Sequence, residues 1–384
     1  MYRLGFQYYI ILILLASSCS PNQEDIKNIQ KPSQASIEKQ TQTLSNASKT
    51  EVDIGPSDYP DNTNPLTGLT VIKKNLLNRR PVAVKISNDP RPMRPQWGLT
   101  KADVVYEYYT EWGKTRFIGI FYGDDADVVG PIRSARFFDE NIVEMYKSIL
   151  AYVGADQRVL KYFSKRDYWD RMISEWPAGC PPICRVDPKM WNHAVTNTNI
   201  LSKHAAKIGI KNIRPNLDGM RFSTLPPNDG KDAYDLSFRF SPYYYGKWVY
   251  DYKEQTYIRL QDAHDDLGQG EDYLLLNDRL TGEPVDADNV VALFVHYEYY
   301  IKRDDIEIVK MDILGTGKAI LFRDGKSYDV QWQRKSKEDV LTLIDTQGYL
   351  FPFKPGRTWF EVIGTSSEIA QPFNGGYHFS FSIP

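Results

Sequence analysis

The 384-residue chain is poor in soft metal ligands, with 3 Cys and 5 His, so any metal site has few of them to draw on. It has no long hydrophobic run. The most apolar stretch, residues 6–15, falls well short of the about 20 residues a spanning helix needs. Neither charge dominates: 47 Lys and Arg face 49 Asp and Glu, a net charge of −2. That balance argues against a nucleic-acid binder working through bulk positive charge. The familiar catalytic signatures are missing as well: no His-Glu-x-x-His, no Gly-x-Ser-x-Gly, no dinucleotide fingerprint and no calcium loop. Gly315-Thr316-Gly317-Lys318 lacks the leading glycine and the Ser/Thr of a phosphate loop and runs into a predicted strand. No cofactor and no metal site is therefore expected. What the chain does have is 42% hydrophobic residues, enough for a real core, and 26 Tyr with 8 Trp.

The amino terminus reads as an address. Arg3 precedes the apolar run, which has the length of a signal-peptide core. It ends in Ala16-Ser17-Ser18-Cys19, small residues before a cysteine, as in a bacterial lipobox; Ala16 stands where that pattern usually has Leu. The expectation is a signal peptide over 1–18 and lipidation, with palmitate, of Cys19. Residues 19–64 are rich in Ser, Thr, Asn, Gln and Lys, with Tyr59 as their one aromatic, and read as a disordered tether.

The folded part is expected from residue 65 onward, as an α+β protein. Its N-terminal half, 65–215, mixes sheet and helix; its C-terminal half, 216–384, is β-rich. Strands are predicted at 80–86 and 115–122, the second apolar on both faces and so central. Helices are predicted at 134–148, 157–163 and 199–208, with Thr198 as N-cap and Gly209 as the stop. Phe138, Ile142, Met145 and Ile149 share the core face of the first. Further on, 247–252 with 256–261, and 320–323 with 327–332 around Asp324-Gly325, read as hairpins. A long strand is expected at 289–300 and a last one at 358–363. Leu66-Thr67-Gly68 recurs as Leu280-Thr281-Gly282, a weak sign of internal duplication.

Several blocks carry a resemblance. They are Arg94-Pro95-Gln96-Trp97-Gly98-Leu99, Ala102–Glu107, Thr115-Arg116-Phe117 and Gly130-Pro131-Ile132-Arg133-Ser134-Ala135-Arg136. In the second half they are Phe322–Gly325 with Trp332, and Pro355–Val362. Together they resemble the YerB-like family of bacterial lipoproteins, a two-part family without an established function. The resemblance implies an extracytoplasmic, lipid-anchored protein of two domains. It supplies no catalytic residues.

Candidate chemistry centres on Arg133 and Arg136, placed at the start of the predicted helix 134–148. Cations are unfavourable there by roughly 0.3–1 kcal/mol, so something negative should compensate. An external anion held by arginine forks is one reading, with Arg116, Arg94, Ser134 and Glu107 contributing. Internal pairing with Asp103, Glu107 or Glu111 is the other. Those three carboxylates, four residues apart, share a face on either a helix or a strand; an acid/base role competes with salt-bridging. Cys180 and Cys184, the two cysteines left after Cys19, are expected as a disulfide in an oxidising compartment. His193 is the better functional histidine and His204 a core residue. The tyrosines at 106, 108 and 109, at 243–245, and at 297, 299 and 300 suit either a stacking surface or half-buried strands.

We therefore expect a binding protein rather than an enzyme, on the outer face of the bacterial cytoplasmic membrane. Its partners would be the membrane, through the lipid anchor, and an anionic wall polymer, a peptidoglycan fragment or a membrane protein. The alternatives are an envelope transferase or hydrolase using the arginines with Glu107 or Asp103, and a structural assembly factor.

Overall fold

Apolar, β-branched and aromatic runs become strands across most of the chain. The computed structural model describes residues 53–187 and 193–383; the expected signal peptide, Cys19 and the tether up to residue 52 lie outside them. The first half contributes Val82–Ser87 (β1), Val104–Glu111 (β2), Lys114–Phe121 (β3), Asp139–Met145 (α1), Ile149–Tyr152 (β4), Gln157–Phe163 (α2) and Thr198–Lys207 (α3). The second half contributes Lys231–Arg239 (β5), Tyr245–Asp251 (β6), Thr256–Asp262 (β7), Asn289–Arg303 (β8), Ile306–Asp312 (β9), Gly315–Arg323 (β10), Lys326–Arg334 (β11), Thr358–Gly364 (β12) and Gly375–Ser380 (β13). The mixed first half and β-rich second half agree with the expected α+β class.

The main sheet runs β4-β1-β3-β2-β12-β8-β10-β11. β12 lies parallel to both of its neighbours, β2 from the first half and β8 from the second. Both halves thus share one sheet, so its hydrogen-bond ladder runs unbroken past the boundary drawn near residue 215. A second sheet, β13-β5-β6-β7, covers one face of the first. Trp248 of β6 meets Trp359 of β12 edge-on at 5.1 Å between ring centroids. α1 covers the other face, where Phe138 packs on Tyr106 and Tyr108.

The ordered body starts earlier than residue 65. Asp53-Ile54 pairs with Phe222-Ser223, and the Tyr59 hydroxyl donates to the Met220 carbonyl. These residues gain order by borrowing a partner far along the chain, which local composition cannot reveal. The two Leu-Thr-Gly segments build the same turn. Asn64 and Asp278 accept from the N–H of Leu66 and Leu280 at 3.0 and 2.8 Å. Their carbonyls accept from Gly68 and Gly282 at 2.8 and 2.7 Å. The likeness stops there: β1 pairs with the second strand of the hairpin after it, whereas β8 pairs with the first strand of the β10–β11 hairpin.

Two helix starts differ from expectation. α1 begins at Asp139 rather than Ser134, because residues 133–135 spend their backbone groups on neighbouring chain. Arg133 N–H donates to the Lys85 carbonyl, Val153 N–H to that of Arg133, and Ala135 N–H to that of Gly154. The cap of α3 is Asn197, whose side chain accepts from Ile200 N–H at 3.0 Å; the Thr198 hydroxyl instead donates to Asp125. Asn197→Ala should therefore cost about 1 kcal/mol in denaturant unfolding. Thr198→Val, which keeps the cap, should leave the helix start intact.

Candidate functional site

β1 carries one charge inside an apolar strand, Lys85, and it points into the space under α1. Its side chain is fully buried, 3.0 Å from Asp139 Oδ1 and bonded to the Tyr108 hydroxyl, which also donates to Asp139. The other oxygen of Asp139 accepts from the Arg136 N–H at 2.9 Å. The first N–H groups of α1, on Asp139, Glu140 and Asn141, donate to the carbonyls of Arg136, Phe137 and Phe138, so among the described residues no free helix terminus faces Arg133 or Arg136.

Above this buried pair the sequence-predicted arginines converge on Glu111. Arg136 donates through Nε, at 2.7 Å, and Nη2 to the two carboxylate oxygens, and Arg116 donates to one of them at 2.6 Å. Arg116 also donates to the Ser134 carbonyl at 2.8 Å. Arg133 makes no ion pair among the described residues. Its contacts are long ones, to Ser87 Oγ at 3.2 Å and the Asp89 carbonyl at 3.3 Å. On this face four cations, Lys85, Arg116, Arg133 and Arg136, meet two carboxylates, Glu111 and Asp139. The adjoining Lys114–Asp89 pair, 2.9 Å apart, leaves the excess unchanged.

The electrostatic consequence is visible in each group. Burial, with Arg136 and Arg133 nearby, lowers the Arg116 guanidinium to about 9. Burial brings the Lys85 ammonium down to about 7, and Arg116 and Arg136 add to that while Asp139 opposes it. Burial also lowers Arg133, against the fields of Asp89 and Glu111. Glu111 goes the other way: its burial is outweighed by Arg116 and Arg136, and its carboxyl is held at about 2.

Arg94 and Glu107 do not join this cluster. A register slip between Tyr109 and Glu111 turns Glu111 onto the α1 face, while Glu107 faces the second sheet. The expected co-facial array of Asp103, Glu107 and Glu111 is therefore broken by a bulge. Asp103, just before β2, accepts from the N–H groups of Tyr122 and Gly123 at 2.6 and 2.9 Å and from Asn64 at 2.9 Å. Burial outweighs those donors and raises its carboxyl to about 6.

Glu107 belongs to a sealed triad that the sequence pattern does not announce. Arg259 of β7 donates to Glu107 at 2.6 Å and to Glu361 of β12 at 2.7 Å, and Trp248 Nε1 donates to Glu361 at 2.9 Å. Gly246 makes room, since a Cβ there would lie 2.1 Å from Arg259 Nη2. Burial pushes both carboxyls up against the pull of Arg259, Glu361 to about 8. Arg94 lies toward the rim, donating to Asp262 at 2.9 Å and to the Asn88 carbonyl.

Cys180 and Cys184 are joined, with an S–S distance of 2.00 Å. His193 and His204 are both half-buried and lie in no group suited to a metal among the described residues. Tyr106, Tyr108 and Tyr297 are buried, so these tyrosines belong to the core rather than to a stacking surface.

The shared sheet defines a two-segment α+β body, and the comparisons agree with that fold. Two models described as a protein of unknown function, DUF3048, match here: its N-terminal domain over residues 66–211 and its C-terminal domain over 236–360. The chain belongs to this two-domain family. It is homologous to the protein of Bacillus subtilis (strain 168) named "Putative lipoprotein YerB", 27% identical over 310 residues that span 78% of this chain and 85% of that one. The crystal structure of YerB from Bacillus subtilis superposes with a TM-score of 0.67 at 25% identity, covering 83% of this chain and 99% of the other.

Proposed function

We propose that this protein is a lipid-anchored component of the bacterial envelope, on the outer face of the cytoplasmic membrane. Cys19 carries the anchor. The folded body binds an anionic envelope ligand through Arg133, Arg116 and Arg136. One observation carries the reading: four cations share two carboxylates on this face, and Arg133 has no ion pair among the described residues. A half-buried excess of positive charge costs stability unless an anion joins it. Arginine forks suit phosphate and carboxylate oxygens, which accept two parallel N–H bonds. Binding is favoured over turnover because Glu107 and Asp103, the carboxylates an enzyme would use here, are buried and fully engaged.

The test is thermal unfolding of the full chain with inorganic phosphate, a glycerol-phosphate polymer and a muramyl peptide. A bound anion at about 100 times its dissociation constant should add about 2.7 kcal/mol. Arg133→Gln should change stability by less than about 1 kcal/mol, since it breaks no ion pair, and should abolish the anion response. An unchanged response in Arg133→Gln would sink the proposal. The phosphate polymer and the muramyl peptide separate a phosphodiester ligand from a carboxylate one.

A further inference from the structure

A cavity of about 390 Å³ opens between α1 and the β8–β9 hairpin, away from the arginine cluster. Both halves of the chain line it. Its apolar lining is Phe137, Tyr162 and Leu314. Phe137 meets Tyr162 and Tyr300 edge-on at 5.2 and 5.1 Å, which fixes that wall. Its carboxylate lining comes from α1 and from the hairpin. Glu140 and Glu144 sit one helical turn apart on α1, a spacing at which like charges repel, and Glu298 and Asp312 come from the hairpin.

Three cations line the same cavity, and two of them, Arg334 and Lys337, pair loosely with Glu144. Lys310 Nζ lies over the rings of Phe137 and Tyr300, 4.9 and 4.3 Å from their centres. Arg334, its side chain 1% exposed, donates to Asn141 at 2.7 Å and to the Lys337 carbonyl, with Glu144 at 3.7 Å. Its Nε is buried without a hydrogen-bond partner among the described residues. Lys337 reaches Glu144 only at 3.4 Å. Among the carboxylates Glu140 is satisfied, by the hydroxyls of Tyr162 and Tyr168 and by Arg166. Burial, followed by the field of Glu140, raises the carboxyl of Glu144. Glu298, exposed on β8, has no hydrogen bond or ion pair among the described residues.

We infer that this cavity binds a primary ammonium on a short apolar stem, as presented by a lysine-type diamino acid in a peptide. The stem packs on Phe137, Tyr162 and Leu314. The ammonium, with three donors and no acceptor, is held by the Glu144 and Glu298 carboxylates. This goes beyond the anion grip and shares no residue with it.

The experiment is calorimetric titration of the full chain with Nα-acetyl-lysine amide. Nα-acetyl-norleucine amide, which keeps the stem and lacks the ammonium, is the control. Saturable binding of the lysine probe alone is expected. Glu144→Gln should weaken it at least tenfold, and Glu298→Gln, at an exposed strand position where folding is not at risk, several-fold. Equal binding of the norleucine amide, no saturable binding of the lysine amide, or full affinity in both variants would each overturn the inference.

Discussion

Arg259→Met is expected to remove about 3–5 kcal/mol of stability at neutral pH, because it strands two buried carboxyls without their shared cation. The arrangement makes the effect specific. Glu107 and Glu361 approach Arg259 from neighbouring strands of one sheet, and Arg259 comes from the other sheet. Removing it therefore weakens the seam between the two sheets, not one local turn. The loss should depend on pH in a definite direction. Burial has already raised Glu361 from its ordinary value near 4.5 to about 8. A carboxyl raised on folding contributes its stability fully below the unfolded value, and that contribution is lost as pH rises through the folded one. In the variant both carboxyls rise further, so the deficit should grow from about pH 4.5 upward and shrink as pH falls toward it. Glu107→Gln with Glu361→Gln in the same chain should recover most of the loss, since neutral amides carry no charge to strand. Urea unfolding at pH 4.5 and pH 8 reads both outcomes. A deficit below about 1 kcal/mol at pH 8, or one that does not change with pH, would show that Arg259 is not the cation holding the seam.

That triad also marks the limit of what is legible in the sequence. The strands around it are legible because they are apolar and aromatic: 80–86, 115–122, 289–300 and 358–363 each appear as strands within a few residues of the expected bounds. α2 is legible to the residue. The signal for the buried charges is present too, as single charges within apolar strands: Lys85 among Val82, Ala83, Val84 and Ile86, Arg259 between Ile258 and Leu260, and Glu361 between Phe360 and Val362. Which of them meet is not readable. Glu107, Arg259 and Glu361 are separated by 152 and 102 positions and are joined only by packing of the two sheets. The bulge before Glu111 is likewise invisible in a period-two pattern, because one extra residue moves every later side chain of the strand to the opposite face. Arg133, Arg136 and Arg116 do gather in space, but for a different reason from the expected one. They come together because residues 130–135 run beside the end of β1, not because a helix starts among them.

Glu111→Gln should have the second-largest effect, and its outcome distinguishes an anion receptor from a purely internal salt-bridge cluster. The substitution leaves Lys85, Arg116, Arg133 and Arg136 around Asp139 as the one remaining carboxylate of that face, and breaking such a buried pairing costs about 3–5 kcal/mol. In the unaltered protein the two arginines hold Glu111 at about 2. Its contribution is therefore fully present above about 4.5 and is lost as pH falls through 2. The variant should lack that part of the acid unfolding curve. At neutral pH the vacated charge is one that a solution anion can replace. Millimolar phosphate should then raise the unfolding midpoint of Glu111→Gln by more than that of the unaltered protein, because phosphate no longer competes with a resident carboxylate. Adding Arg133→Gln in the same chain should reduce that gain, since the guanidinium with no carboxylate of its own is the one free to turn toward an incoming oxygen. If phosphate leaves the midpoint of Glu111→Gln where it was, the arginines exist to hold Glu111 and not a ligand, and the anion-binding function falls with that result.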